Sequence, residues 1–209
     1  MKMIIVSLYI DDLIVSSNDE QTIIEFRNSM KNEFDMTNLG RMRYFLGIEV
    51  LQKSDGIFIN QNKYASDVLK HFGMDKSNFV QVPLAPGFKF SKDEDGVKVD
   101  KTYYKQVVKR ALRYLKGTTK FGIFYKKGGE DELVAYTDSD YVEDTKDRKS
   151  TSGYVFLLSS GAISWSSKKQ PVVSLSTIEV EFVATTLCAF QAVWLQRVMG
   201  VKTIKYNFL

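Results

Sequence analysis

"SLYIDDLIVSSND", residues 7–19, sets two adjacent aspartates, Asp11 and Asp12, inside an otherwise apolar run. Buried carboxylates are costly unless they are paired, hydrogen-bonded or bound to a cation. The stretch therefore reads as a hairpin, with strands over residues 3–7 and 8–16 and the two acids at its tip. Aspartate suits a turn because it bonds nearby backbone and tolerates unusual dihedrals. Two explanations share that backbone. One is a solvated turn; the other is a tip whose hard carboxylate oxygens suit magnesium.

Composition narrows the chemistry. With 209 residues, 44% of them hydrophobic, the chain can bury one large core or two small ones. The net charge of +4 is compatible with a nucleic-acid partner without demonstrating one. A single cysteine, Cys188, excludes an internal disulfide and a cysteine-rich zinc site. A single histidine, His71, makes histidine catalysis improbable and reads as a surface residue in the last turn of a helix. Asp, Glu, Lys and Tyr remain. The apolar run over residues 3–10 is too short to span a membrane, and no other stretch is expected to reach that length. An intracellular protein, cytoplasmic or nuclear, is the expectation.

Working outward from the hairpin, Asn18 is the expected N-cap of a helix, with Gln21 completing a capping box. Ile23, Phe26, Met30 and Phe34 recur at helical spacing along it. "RMRYFLGIEVLQ" (41–52) and "GIFINQ" (56–61) read as strands joined by "KSDG". Tyr64, Ala65, Val68, Leu69 and Phe72 then share a helix face, closed by Gly73. Pro83, Pro86, Gly87 and the charged "KDEDGVKVD" (92–100) mark a connection and the expected domain boundary.

Beyond it, residues 101–127 hold nine Lys or Arg and no acid. Tyr104, Val107, Val108, Ala111, Leu112 and Leu115 form the expected apolar face of a helix closed by Gly117. Lys105, Lys109, Arg110, Arg113 and Lys116 supply its charge. A solvated helix face explains this run; a polyanionic partner explains its single sign better. "ELVAYTDSD" (132–140) reads as a strand ending in acids, and residues 153–168 as a hairpin turning near Ser159–Gly161. A long helix follows over 174–199, with Ser176 and Glu179 as a capping pair and Gly200 as its stop. Val180, Val183, Leu187, Gln191, Trp194 and Val198 are the expected buried side, with Cys188 a small core residue. Asp138 at the strand end and Glu181 in the helix are two carboxylates able to begin a phosphodiester-cleaving metal site.

Together these stretches carry a resemblance. "LYIDDLIVSSND" resembles the Tyr-X-Asp-Asp box of reverse transcriptases. "EFDMTNLGRMRYFLGIEV", "GIFINQNKYASDVLKHFGM", "RALRYLKGT" and "DRKSTSGYVFLLSSGAISWSSKKQPVVSLSTIEVEF" resemble the reverse transcriptase and ribonuclease H portions of copia-type retrotransposon Pol polyproteins. The resemblance is nearly continuous over residues 1–199.

What it implies is specific. Asp11 and Asp12, with Tyr9 as the box tyrosine, match the palm hairpin that holds magnesium; Asp138 and Glu181 match two ribonuclease H acids, and Glu179 does not. RNA, DNA and RNA–DNA hybrid are the implied partners, contacted through Tyr9 and the basic helix. The implied fold is α+β. A partial palm and connection over 1–100 precedes an incomplete ribonuclease H-like mixed α/β domain over 101–209.

Departures bear on activity. The palm needs a further carboxylate from upstream of the box, and the sequence begins just before the box. "YYKQVVKRALRY" reads as a deletion junction. A further downstream strand with another aspartate is implied, whereas the sequence stops at Leu209. "DYVED" (140–144) replaces the usual Asp-Trp-Ala-Gly-Asp. Three functions stay open: the family's RNA-directed DNA synthesis and hybrid hydrolysis, an inactive nucleic-acid-binding remnant, or a protein-interaction module. The oligomeric state is not legible.

Overall fold

The computed structural model describes residues 2–85, 100–129, 132–141, 147–201 and 203–208. Within them the chain is α+β and divides into two compact units, Met1–Leu46 and Gly47–Leu209.

The first unit opens with β1 (Ile4–Tyr9) and β2 (Asp12–Ser17), antiparallel, with Tyr9 opposite Asp12. The turn is therefore the two residues Ile10–Asp11, and Asp12 already belongs to β2. Helix α1 (Glu20–Glu33) follows and packs on β2. Its cap is Asp19, whose carboxylate accepts from Thr22 N–H at 3.1 Å. The expected cap, Asn18, is used otherwise: its Oδ1 accepts from Met3 N–H at 2.9 Å and ties the two ends of the hairpin. Competition between two adjacent Asx side chains shifted the helix start by one residue. A two-residue strand, β3 (Tyr44–Phe45), ends the unit. The expected single strand over 41–52 breaks there because Leu46 and Gly47 take φ of 48° and 82°, outside the extended region. No described residue between Lys2 and Leu46 is buried.

The second unit contains two sheets. In one, β4 (Ile48–Gln52), β5 (Gly56–Asn60) and β6 (Gly122–Lys126) run antiparallel in that order. Strand β6 was not expected from the sequence, where its Lys126 reads as part of a basic run. Its two flanking glycine positions explain the close pairing. A Cβ on Gly56 would lie 2.3 Å from Tyr125 O, and one on Gly122 would lie 2.2 Å from Ile59 O. Helices α2 (Asn62–His71) and α3 (Lys101–Thr118) pack on each other. Ala65 and Leu69 of α2 are buried, while Tyr64 and Phe72 are exposed. Helix α3 runs uninterrupted through the supposed junction. Gly117 does not close it: a Cβ there would press on Phe79 at 3.2 Å, so this glycine admits a ring against the last turn. Tyr104 and Ala111 of its expected apolar face are exposed.

The β5–β6 hydrogen bonds cross the boundary expected near residue 100. The connecting residues 86–99 lie outside the described residues, as do Val142, Glu143 and Asp144 of "DYVED".

The other sheet has the order β10-β7-β8-β9. Strands β7 (Glu132–Asp140), β8 (Thr151–Leu158) and β9 (Gly161–Lys169) form an antiparallel meander, and α4 (Thr177–Met199) leads to β10 (Thr203–Phe208), parallel to β7. Here the residues after the long helix do form a strand, contrary to the sequence expectation. It carries Thr, Ile, Lys, Tyr, Asn and Phe, and no acid.

The core lies between this sheet and α4. Leu133, Ala135 and Phe156 from the sheet meet Cys188, Ala192 and Leu195 from the helix. The buried row of α4 is Val180, Ala184, Cys188, Ala192 and Leu195; of the side expected from periodicity, Val180 alone belongs to it. Small side chains let the helix approach the sheet, and Leu187, Trp194 and Val198 turn outward. Periodicity had no power to choose, because α4 is apolar around most of its circumference. That composition also makes α4 long and apolar enough to cross a membrane by length and composition alone, contrary to the sequence expectation. Packing against β7, β8 and β10 accounts for the apolarity of its buried row alone.

Candidate functional site

Three places hold the candidate residues. The first is the β1–β2 tip, where Asp11 and Asp12 are both exposed. Ile10, beside them, has φ of 51°, a conformation a β-branched residue rarely adopts. Such strain costs on the order of 1–3 kcal/mol and persists only where the surroundings impose it. Here the imposed feature is the two-residue turn itself. Tyr9 sets its ring edge-on to Phe45, with centroids 6.4 Å apart.

The second place is the junction of β7 and α4. Pleating sends successive side chains to opposite faces, so Thr137 and Ser139 share the face toward α4. Asp138 lies with Tyr136 on the other face, lining a shallow depression with Gly153 and Val155. Ser139 makes the connection: its Oγ donates to Glu181 Oε1 at 2.8 Å, and its N–H donates to Asp138 Oδ1 at 2.9 Å. Asp138 and Glu181 are thus joined through one residue that sequence reasoning missed. The signal was available in the alternation running from Leu133 through Ala135 and Thr137.

Glu179 has a different task. Ser176 Oγ accepts from Glu179 N–H at 3.2 Å, and Glu179 Oε2 accepts from Leu175 N–H at 2.7 Å. The start of α4 is held further by a buried amide. Gln170 Nε2 donates to Ser152 Oγ at 2.6 Å and to Val180 O at 3.1 Å, while Gln170 Oε1 accepts from Ser174 Oγ at 3.1 Å. This network locates the turn that carries Glu181. Cys188, 1% exposed, belongs to the core; burial pushes its thiol up and keeps it protonated.

The third place is α3. Lys105, Lys109 and Lys116 fall within one arc of the helix at 100° per residue, and Lys105 and Lys109 are exposed. The two arginines differ. Arg113 Nε donates to Asn78 O at 2.7 Å and helps dock the 75–80 segment. Arg110 is turned inward, with a buried Nε.

Magnesium can be tested against these donors. Carboxylate oxygens are the right kind. Among the described residues, however, no cluster of three or more Asp, Glu, His or Cys stands ready for an ion. The donor chemistry fits, and among the described residues the donor number falls short.

With this geometry in place, comparisons give the lineage. A family model described as reverse transcriptase (RNA-dependent DNA polymerase) matches residues 1–86. The retrovirus-related Pol polyprotein from transposon TNT 1-94 of Nicotiana tabacum is 32% identical over 239 aligned residues, covering 93% of this chain. The Pol polyprotein from transposon RE1 of Arabidopsis thaliana is 30% identical and covers 90% of it. The chain belongs to the copia-type retrotransposon Pol family.

This Pol-family chain spans 18% and 15% of the length of those two polyproteins. It is also similar to an uncharacterized mitochondrial protein of Arabidopsis thaliana, 29% identical over 90% of this chain and 92% of that protein. No solved structure matches. The Tyr9–Asp12 hairpin tip falls inside the segment that the reverse transcriptase model matches.

Proposed function

We propose that this chain is the part of a Pol polyprotein that links the reverse transcriptase palm hairpin to a ribonuclease H-like unit. The lineage activity is RNA-templated DNA synthesis with hydrolysis of RNA in RNA–DNA hybrids. The single observation carrying this reading is the Asp11–Asp12 pair at a two-residue hairpin tip within the reverse transcriptase-like segment.

The ribonuclease H part rests on order. Strand β7 bearing Asp138, an antiparallel meander, helix α4 bearing Glu181 and the parallel strand β10 follow one another, and the two acids fall on the strand and the helix as the resemblance implies. Asp11, Asp12, Asp138 and Glu181 are the proposed acids. Lys105, Lys109 and Lys116 are the proposed contacts to nucleic acid, with Tyr9 at the tip; Arg110 and Arg113 serve packing instead. That reassignment rests on the buried Arg110 Nε and on the bond Arg113 Nε makes to Asn78 O.

The chain by itself is expected to bind nucleic acid without turnover. Two-ion phosphoryl chemistry needs ions clamped on both attacking and leaving oxygens. Two acids at the tip, and two joined through Ser139, supply too few ligands. The tobacco comparison, with 239 aligned positions against a chain of 209 residues, opens gaps in this chain.

The test is binding of an RNA–DNA hybrid across a salt series, with primer extension and hybrid cleavage assayed alongside. Counterion release should make log K fall linearly with log salt. Changing Lys105, Lys109 and Lys116 to Gln should reduce that slope by about 2 to 3. An unchanged slope would remove the basic helix from the reading. Primer extension that disappears in Asp11→Asn would show that the chain does turn over.

A further inference from the structure

The two sheets of the second unit meet at their outer strands, β6 at the end of β3-β4-β5-β6 and β9 at the end of β10-β7-β8-β9. An outer strand presents a row of backbone groups that need partners. On β6 that row includes Phe124 C=O and Lys126 N–H, and one side chain serves both. Ser160 Oγ donates to Phe124 O at 3.0 Å and accepts from Lys126 N–H at 3.0 Å. In an antiparallel pair a single residue of the neighbouring strand exchanges the same two bonds through its own N–H and C=O. The Ser160 hydroxyl thus stands in for a strand.

Tyr125, between those two β6 residues, completes the join by donating its hydroxyl to Ala162 O of β9 at 2.6 Å. Burial pushes this hydroxyl's pKa up, so it remains a donor. Two glycines leave the room that the join needs. A Cβ on Gly161 would lie 2.5 Å from Tyr125 Cδ1 and 3.2 Å from Ile123 Cγ2, and one on Gly129 would overlap Ser159 Oγ.

Chain order shows what the join holds. Only residues 119–121 separate α3 from β6, and Phe121 N–H donates back to Thr118 O at 2.9 Å, so strand and helix are tied by one turn. On the other side, β9 runs directly into Gln170, whose amide holds the first turns of α4. We infer that Tyr125 and Ser160 clamp the two sheets together and thereby fix the lysine row of α3 relative to the Asp138–Glu181 pair. Both act by positioning. The use of the clamp rests on the function proposed above: a hybrid seated on Lys105, Lys109 and Lys116 would meet the acids in one orientation.

Pulsed electron–electron double resonance on the full chain reads the clamp without nucleic acid. Spin labels at Gln106→Cys on α3 and Val193→Cys on α4 occupy exposed positions, while buried Cys188 stays unlabelled. An intact clamp should give one narrow distance distribution. Tyr125→Phe combined with Ser160→Ala should broaden it, and Gly161→Ala should do the same by driving the Tyr125 ring away. Ser160→Thr keeps the hydroxyl and should leave the distribution narrow. In the double variant the β6 amides should exchange about tenfold faster, as expected for a lost hydrogen bond, while β7, β8 and α4 keep their rates and so report an intact fold. Hybrid binding is read separately, and its salt slope should be unchanged in the double variant because every lysine is retained. A broad distribution in the wild type, or one as narrow in the double variant as in the wild type, would overturn the inference. A wild type that binds no hybrid but shows the narrow distance, lost in the double variant, upholds the clamp and removes only its proposed use.

Discussion

The two acid-bearing places of this molecule are built on opposite principles. At the hairpin tip, Asp11 and Asp12 are neighbours in sequence and are aimed by a two-residue turn, in a unit where no described residue is buried. At the β7–α4 junction, Glu181 reaches Ser139 across 42 residues of chain, over a core that contains Leu133, Phe156 and Cys188. A two-stranded hairpin with little burial is marginal in water. A helix seated on a four-stranded sheet is not. Local geometry thus holds one pair of acids cheaply but softly, and tertiary packing holds the other firmly.

That contrast breaks most visibly at the core. Phe156 is fully buried, and Phe156→Ala should cost about 3–5 kcal/mol in urea unfolding. Leu8, 70% exposed on β1, should change stability by less than about 0.5 kcal/mol when cut to Ala. Comparable losses at the two positions would show that the hairpin is part of a buried core after all.

A smaller effect is expected at Gln170. Gln170→Ala would leave Ser152 Oγ, Ser174 Oγ and Val180 O without their buried partner, at a cost of about 2–3 kcal/mol. Amide exchange should accelerate in the first turns of α4 and leave β1–β2 untouched. If exchange in α4 stays as it was, the amide network does not position Glu181.

The smallest effect belongs to the softer unit and depends on pH. Asp19 is held below the usual carboxylate range by its hydrogen bond from Lys2, then by those from Thr22, with the Lys2 charge adding less. A lowered folded value means that the contribution is complete above the unfolded value, about 3.9, and fades as pH falls through the folded one. NMR signals of the α1 amides should therefore loosen only below about pH 4, with β7 and β8 unmoved by this group. Loosening near neutral pH would point to another cause.

Much of the backbone was legible. The hairpin, β7, the β8–β9 turn and α4 with its Ser176 and Gly200 ends all follow local rules of turn and cap chemistry, and those rules act within a few residues. The failures share a cause. Asn18 lost the cap to Asp19 because Met3 N–H, fifteen residues away, engaged it first. The face of α4 was misassigned because its apolar residues encircle the helix, and only the sheet selects the small ones. Strand β6 was missed because its partner β5 lies more than sixty residues upstream.

Sequence alone determined which residues are acids, that two of them sit at a tight turn, and that the chain belongs to the Pol family. Those properties live in side-chain identity and in interactions a few residues long. The tertiary structure decided which acids meet. Pleat register turned Ser139, rather than Asp138, toward Glu181, and close packing of Ala184, Cys188 and Ala192 on the sheet sent Phe182, Phe190 and Trp194 to the surface. Such choices depend on how closely two elements approach, and that distance is set by contacts far apart in the chain.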